Sequence, residues 1–97
     1  MLAGFRDPSL EAFYYTGPGP KSKRIPADLH GSIRRKLDQL HSAMELTDLR
    51  VPPGNRLEAL KGDLQGYHSL RVNDQWRIIF RWSEDSAQDV ALVDYHE

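Results

Sequence analysis

The sequence predicts an α+β domain, with two N-terminal helices packed on one face of a three- to four-stranded antiparallel sheet. Three observations carry this. Apolar residues recur at helical spacing through the first half of the chain, the period drops towards two after Arg56, and two alternating runs flank Asn73-Asp74. Helices followed by strands give segregated layers rather than a βαβ repeat.

Residues 1–5 read as a short first strand. Asp7-Pro8 then starts a helix, because Asp7 can cap and Pro8 suits the first helical position, where its missing N–H costs nothing. Leu10, Phe13 and Tyr14 follow at helical spacing, Gly17 is a natural stop, and residues 17–23 form a loop. A second helix starts at Pro26. Its stripe of Leu29, Ile33, Leu37, Leu40 and Met44 implies about 18 residues with one apolar face, which is core rather than a cofactor site. Gly31 weakens it by about 1 kcal/mol relative to Ala. Residues 46–49 add a short turn before the break at 51–54. Residues 57–60 alternate weakly and end in the turn Lys61-Gly62-Asp63. Residues 67–72 and 75–82 pair around Asn73-Asp74 as a tight hairpin. Glu84-Asp-Ser86 turns the chain into a last strand at 89–95.

A chain of 97 residues is sized for one domain spanning 1–97. With 39% hydrophobic and 28% charged residues it is globular rather than disordered. The absence of cysteine excludes disulfides and thiolate metal sites. No apolar stretch approaches the roughly 20 residues that span a bilayer, so no membrane partner and a cytoplasmic location are expected. The net charge of −1 hides a segregation. Residues 21–36 hold Lys21, Lys23, Arg24, Arg34, Arg35 and Lys36 against Asp28 alone, a local +5. Residues 82–97 hold Glu84, Asp85, Asp89, Asp94 and Glu97 with no Lys or Arg, a local −5. The basic stretch suggests a local contact with a polyanion.

The chemistry concentrates in the last eight residues, where an apolar run delivers Asp94, Tyr95 and His96. Asp94 and His96, two apart on a strand, share one face and make a workable acid/base pair. In the second arm of the hairpin Trp76, Ile78, Phe80 and Trp82 point one way, and Arg77, Ile79 and Arg81 the other. If the helices cover the tryptophan side, Arg77 lies on the open face, where its planar fork suits phosphate. Arg81 reads as a surface arginine without a role. Lys61 brings an ammonium from the neighbouring strand, with Glu58 three residues upstream as its partner. His30 and His41 are placed on the polar side of the long helix and His68 in the hairpin. They show no ligand spacing, so neither metal nor cofactor is expected. Lys61, Arg77, Asp94 and His96 together offer what metal-free RNA cleavage needs: proton transfer near neutral pH and cationic stabilisation of the phosphorane.

Five segments carry a resemblance to a known family. Tyr14-Tyr-Thr-Gly17, Ser22-Lys-Arg-Ile-Pro26, Arg56-Leu-Glu-Ala-Leu-Lys-Gly-Asp63, Tyr67-His-Ser-Leu-Arg-Val-Asn-Asp-Gln-Trp-Arg-Ile-Ile-Phe-Arg-Trp82 and Val93-Asp-Tyr-His96 resemble the HigB host-killing toxins of the RelE/ParE superfamily. The resemblance spans nearly the whole chain. It implies two helices on an antiparallel sheet, and a ribosome-dependent mRNA interferase that cuts messenger RNA in the A site of the small subunit. It further implies a helix-turn-helix antitoxin of the HigA type, with operator DNA reached only through the toxin–antitoxin complex. The family's active site maps onto Lys61, Arg77, Asp94, Tyr95 and His96. Tyr95 is the addition to the residues chosen above, and strict alternation aims it at the other face. Members often carry His where this chain has Glu58, which leaves the division of roles among Glu58, Asp94 and His96 open. The basic stretch 21–36 would then dock ribosomal RNA. The rivals are a ParE-like, non-catalytic inhibitor of DNA gyrase on the same scaffold, or a decayed toxin that only binds its antitoxin. A metal-dependent enzyme lacks ligands.

Overall fold

Residues 1–95 are described by the computed structural model of the chain; His96 and Glu97 lie outside the described residues. Helix α1 spans Pro8–Thr16 and starts as the sequence indicates: Asp7 Oδ1 accepts the N–H groups of Ser9 and Leu10, each at 3.1 Å. It buries Leu10 and Phe13 and stops at Gly17, whose φ of 81° is left-handed. Helix α2, His30–Ser42, is shorter than its apolar pattern suggests. Ala27–Leu29 form a 3₁₀ turn ahead of it, and Ala43 is already extended. Asp48 Oδ2 accepts the N–H groups of Met44 and Glu45 at 3.0 Å and opens a separate 3₁₀ turn, Leu46–Arg50. That turn buries Leu49, and Met44, expected to close the apolar stripe, is 77% exposed.

The sheet has four strands in the order β1 (Glu58–Ala59), β2 (His68–Arg71), β3 (Trp76–Ser83) and β4 (Ser86–Asp94), all neighbours antiparallel. The β2–β3 connection is looser than the tight turn expected. Arg71 pairs with Arg77, and Asn73 Oδ1 accepts the N–H groups of Gln75 (2.9 Å) and Trp76 (2.7 Å), so residues 72–75 bridge the strands. The β3–β4 turn is tighter than expected. Glu84 and Asp85 both take positive φ, as a two-residue hairpin turn requires, and β4 begins at Ser86 rather than at 89. Residues 1–5 do not form a strand. They lie along the free edge of β4 through two parallel bridges, Leu2 with Ala87 and Phe5 with Val90.

Both helices pack on one face of the sheet, as the sequence predicts, and that face presents Leu70, Ile78, Phe80, Val90 and Leu92. Asp7 ties these layers together: Oδ2 accepts from the Leu92 N–H (3.1 Å) and pairs with Arg24, whose Nη2 also donates to the Leu92 carbonyl (3.0 Å). The second sheet face is not bare. Leu60, Tyr67, Ile79 and Ala91 form a smaller buried cluster, flanked by Leu64, Val93 and Tyr95.

Candidate active site

One residue in β4 decides which side chains meet. Ile79 pairs with Ala91 but Arg81 pairs with Gln88, so Asp89 and Val90 together oppose Phe80 in a β-bulge, and Asp89 adopts a φ of 52°. Beyond the bulge Arg77 pairs with Val93 and Trp76 with Asp94. Asp94 therefore stands on the tryptophan side of the sheet end, where Gln75 Nε2 donates to it at 3.0 Å. Tyr95 comes to the Arg77 side instead, with its ring 5.7 Å from the Arg77 guanidinium carbon. The expectation that Asp94 shares a face with Arg77, and that Tyr95 points away, is thus reversed by a single inserted residue. His96, expected to complete the set, lies outside the described residues.

Arg77 is half-buried. Its Nη1 donates to the carbonyl of Asn73 and, at 3.4 Å, to that of Trp76, which anchors the guanidinium against the hairpin. A guanidinium has five N–H donors, and a single nitrogen serves both carbonyls. Arg71 stands directly opposite Arg77 on the same face and pairs with Asp74 at the hairpin tip. This neighbour, together with the electrostatic proximity of Arg77 and Arg56, holds the Asp74 carboxyl below its usual range. One row along the sheet, Glu58 pairs with Ser69 on that face. Two strand spacings and one row put Glu58 on the order of 12 Å from Arg77, Cα to Cα. Glu58 and Lys61 are both exposed and make no ion pair with each other. Lys61 lies one residue beyond buried Leu60, at the start of a 3₁₀ turn, Gly62–Leu64.

The basic stretch is not a uniform face. Residues 34, 35 and 36 project around α2 in different directions, about 100° apart. Arg34 Nη2 donates to the Phe13 carbonyl (3.3 Å) with its guanidinium carbon 4.9 Å from the Phe13 ring centre, and Lys36 Nζ donates to Asn55 Oδ1 (2.6 Å). Burial, then the nearby charges of Arg35 and Arg71, push the Lys36 ammonium down from its ordinary value. Arg24 is bound to Asp7. These three brace the fold, Arg24 while still exposed, whereas exposed Lys21, Lys23 and Arg35 take no part in those contacts. His30, expected on the polar side of the helix, is half-buried: its Nε2 lies 3.1 Å from the Ile25 carbonyl and its ring packs on Phe13. His41 is exposed, as expected.

Sequence reasoning missed Arg71, Arg6, Tyr67 and the placement of Arg81. Arg81 stacks 4.4 Å over Tyr67 and pairs with Asp89 at 3.7 Å, and Arg6 donates to the Tyr67 hydroxyl at 3.2 Å. Among the described residues no three His, Cys, Asp or Glu side chains are grouped so as to hold a metal ion. A surface hollow of about 400 Å³ between the end of α1 and residues 17–22 shares no residue with the Arg77 face. The Arg77 face instead offers paired guanidiniums and a phenol on an open sheet surface, an arrangement suited to a phosphodiester within a polymer.

A family model described as "RelE-like toxin of type II toxin-antitoxin system HigB" matches residues 3–96. The chain is 41% identical over 92 residues to Toxin HigB-1 of Vibrio cholerae serotype O1, covering 95% of each. It is 29% identical over 96 residues to Endoribonuclease HigB of Proteus vulgaris, covering 99% of this chain and all of the relative. The fold is similar to that of a chain in the YoeB-YefM complex from Staphylococcus aureus, at a TM-score of 0.61 and 18% identity, covering all of this chain and 99% of that one. With the motifs, the fold and a family match across nearly its whole length in agreement, the chain belongs to the HigB-like, RelE-like toxins of type II toxin–antitoxin systems.

Proposed function

We propose that the chain is a metal-independent endoribonuclease that cuts messenger RNA in the ribosomal A site, arrests translation in the cytoplasm, and is neutralised by a HigA-type helix-turn-helix antitoxin. The observation that carries the reading is the Arg77 face: a guanidinium braced by backbone carbonyls, with the Tyr95 ring against it and a second arginine opposite. The relative named as an endoribonuclease supports the reaction class. Lys61 and Arg77 hold the scissile phosphate, and His96 acts as general acid or base. Asp94 orients or deprotonates from the sheet end on the opposite face, Tyr95 positions Arg77, and Glu58 is a carboxylate on the Arg77 face. Standing on a sheet surface, such a set relies on the small ribosomal subunit to present mRNA in reactive geometry. Exposed Lys21, Lys23 and Arg35 dock ribosomal RNA, and operator DNA is reached only through the antitoxin complex.

His96→Ala and Arg77→Ala are expected to abolish growth arrest while antitoxin binding stays nearly intact. The test is primer extension on a reporter mRNA in a reconstituted translation system, with and without ribosomes. Cuts at A-site codons that require both ribosomes and His96 support the reading. Growth arrest in cells without any cuts would replace it with a gyrase-directed toxin.

A further inference from the structure

Arg71 and Arg77 are register partners on the second sheet face. Directly opposed residues of this kind hold their Cβ atoms about 4.5–5.5 Å apart, and like charges there destabilise a sheet. The protein tolerates this pair by bracing each guanidinium separately: Arg71 on Asp74, Arg77 on the carbonyls of Asn73 and Trp76. Arg56 also lies close enough to Asp74 to lower its carboxyl pKa. Asp94 stands at this end too, on the opposite sheet face and bound by Gln75. The Arg71–Asp74 pair is a weak closure, since the Asp74 side chain is 98% exposed and water competes for it.

We propose that Arg71 joins Arg77 as a second guanidinium on the backbone phosphates of a single RNA strand, and that Asp74 holds Arg71 in the free protein and yields it to an incoming phosphodiester. The ligand class rests on the RNA-cleaving reading above. A charged fork binds phosphate in two parallel hydrogen bonds, so exchange of the exposed carboxylate for phosphate keeps the fork satisfied. Two adjacent forks also suit a chain whose successive phosphates lie side by side better than an isolated anion. The opposite end of β3 supplies a built-in comparison, because Arg81 carries the same charge on the same face but is stacked on Tyr67 and paired with Asp89.

The experiment measures binding of a 2′-O-methyl RNA oligonucleotide, which cannot be cleaved, to the full chain by fluorescence anisotropy across a salt series. Loss of one phosphate contact lowers the salt slope by about 0.7 and weakens binding about four-fold at 0.15 M salt. Arg71→Gln is expected to show both effects, Asp74→Asn to tighten binding by a similar factor, and Arg81→Gln to leave binding unchanged. Arg71→Lys should restore the slope but only part of the affinity. Equal weakening by Arg71→Gln and Arg81→Gln would reduce the effect to net charge and overturn the site, and an unchanged affinity in Asp74→Asn would overturn the exchange. Should Arg71→Gln melt early, Arg71→Lys carries the test alone, and an affinity equal to wild type in it would overturn the guanidinium contact. If ribosomal cleavage is missing while these binding results hold, only the enzyme reading falls. If cleavage occurs but Arg71→Gln binds like wild type, only the second guanidinium falls.

Discussion

His68 makes the fold sensitive to mild acid. It pairs with Phe80 across β2 and β3, their rings 5.9 Å apart, and burial lowers its pKa because the imidazolium is the form that burial penalises. Above the ordinary histidine value near 6.5, both folded and unfolded chains hold a neutral ring. Below it the unfolded chain binds a proton that the folded chain refuses, so stability falls with pH until the folded ring also titrates. Urea unfolding at pH 7.5 and pH 5.5 should therefore show a loss at the lower pH that His68→Gln removes. An equal loss in the variant would sink the assignment. Asp48 and Asp74 have lowered values, Asp48 from backbone N–H donors and Asp74 from Arg71, so their losses come only at more acidic pH. At this scale the sequence was legible where chemistry is local. The Asp7 cap and the Gly17 stop follow from neighbours in the chain, whereas Arg24, Arg34 and Lys36 looked alike in a basic run. Only tertiary partners set them apart from exposed Lys21, Lys23 and Arg35.

Among the elements, β4 holds the main surprise. Ala87, Val90 and Leu92 are all buried on the helix side although their spacing is three and then two. That break in parity is the trace of the bulge. Unbroken alternation from the β3–β4 turn would have set Asp94 on the Arg77 side. The hairpin hid Arg71 for a related reason: two connecting residues would have set Arg77 against Leu70, but Asn73 accepts two backbone N–H groups and lengthens the connection, so Arg71 comes opposite Arg77. The bulge depends on a left-handed residue, which Asp tolerates and a β-branched residue does not. Asp89→Val is expected to cost about 1–2 kcal/mol and Asp89→Gly to stay close to wild type, measured by urea denaturation. Equal stabilities for the two would mean that the strand can re-register without the left-handed turn.

At the scale of the molecule, the α+β layering was readable because periodicity alone separates helices from strands, and the long amphipathic stripe and the hairpin both lie where it indicated. The closure of the sheet was not readable, since nothing local in residues 1–6 says that they line the edge of β4. Ala3 and Arg6 donate to the carbonyls of Ala87 and Val90, at 2.8 and 3.0 Å, and Met1 and Gly4 accept in return. An uncovered edge is a template for pairing with another chain. Removing residues 1–6 should therefore lower the unfolding midpoint and promote self-association visible by light scattering; a monomer of unchanged stability would show that the edge needs no cover.

The same seam also sets an order of events during synthesis. The opening residues bond to the strand that is made after every other described element, and Asp7 waits equally long for the Leu92 N–H. Contacts so distant along the chain form late, after the loop between them has closed. A growing chain thus carries its helices and earlier strands with this edge still open. Any property that needs the closed edge is therefore available only once β4 has been translated.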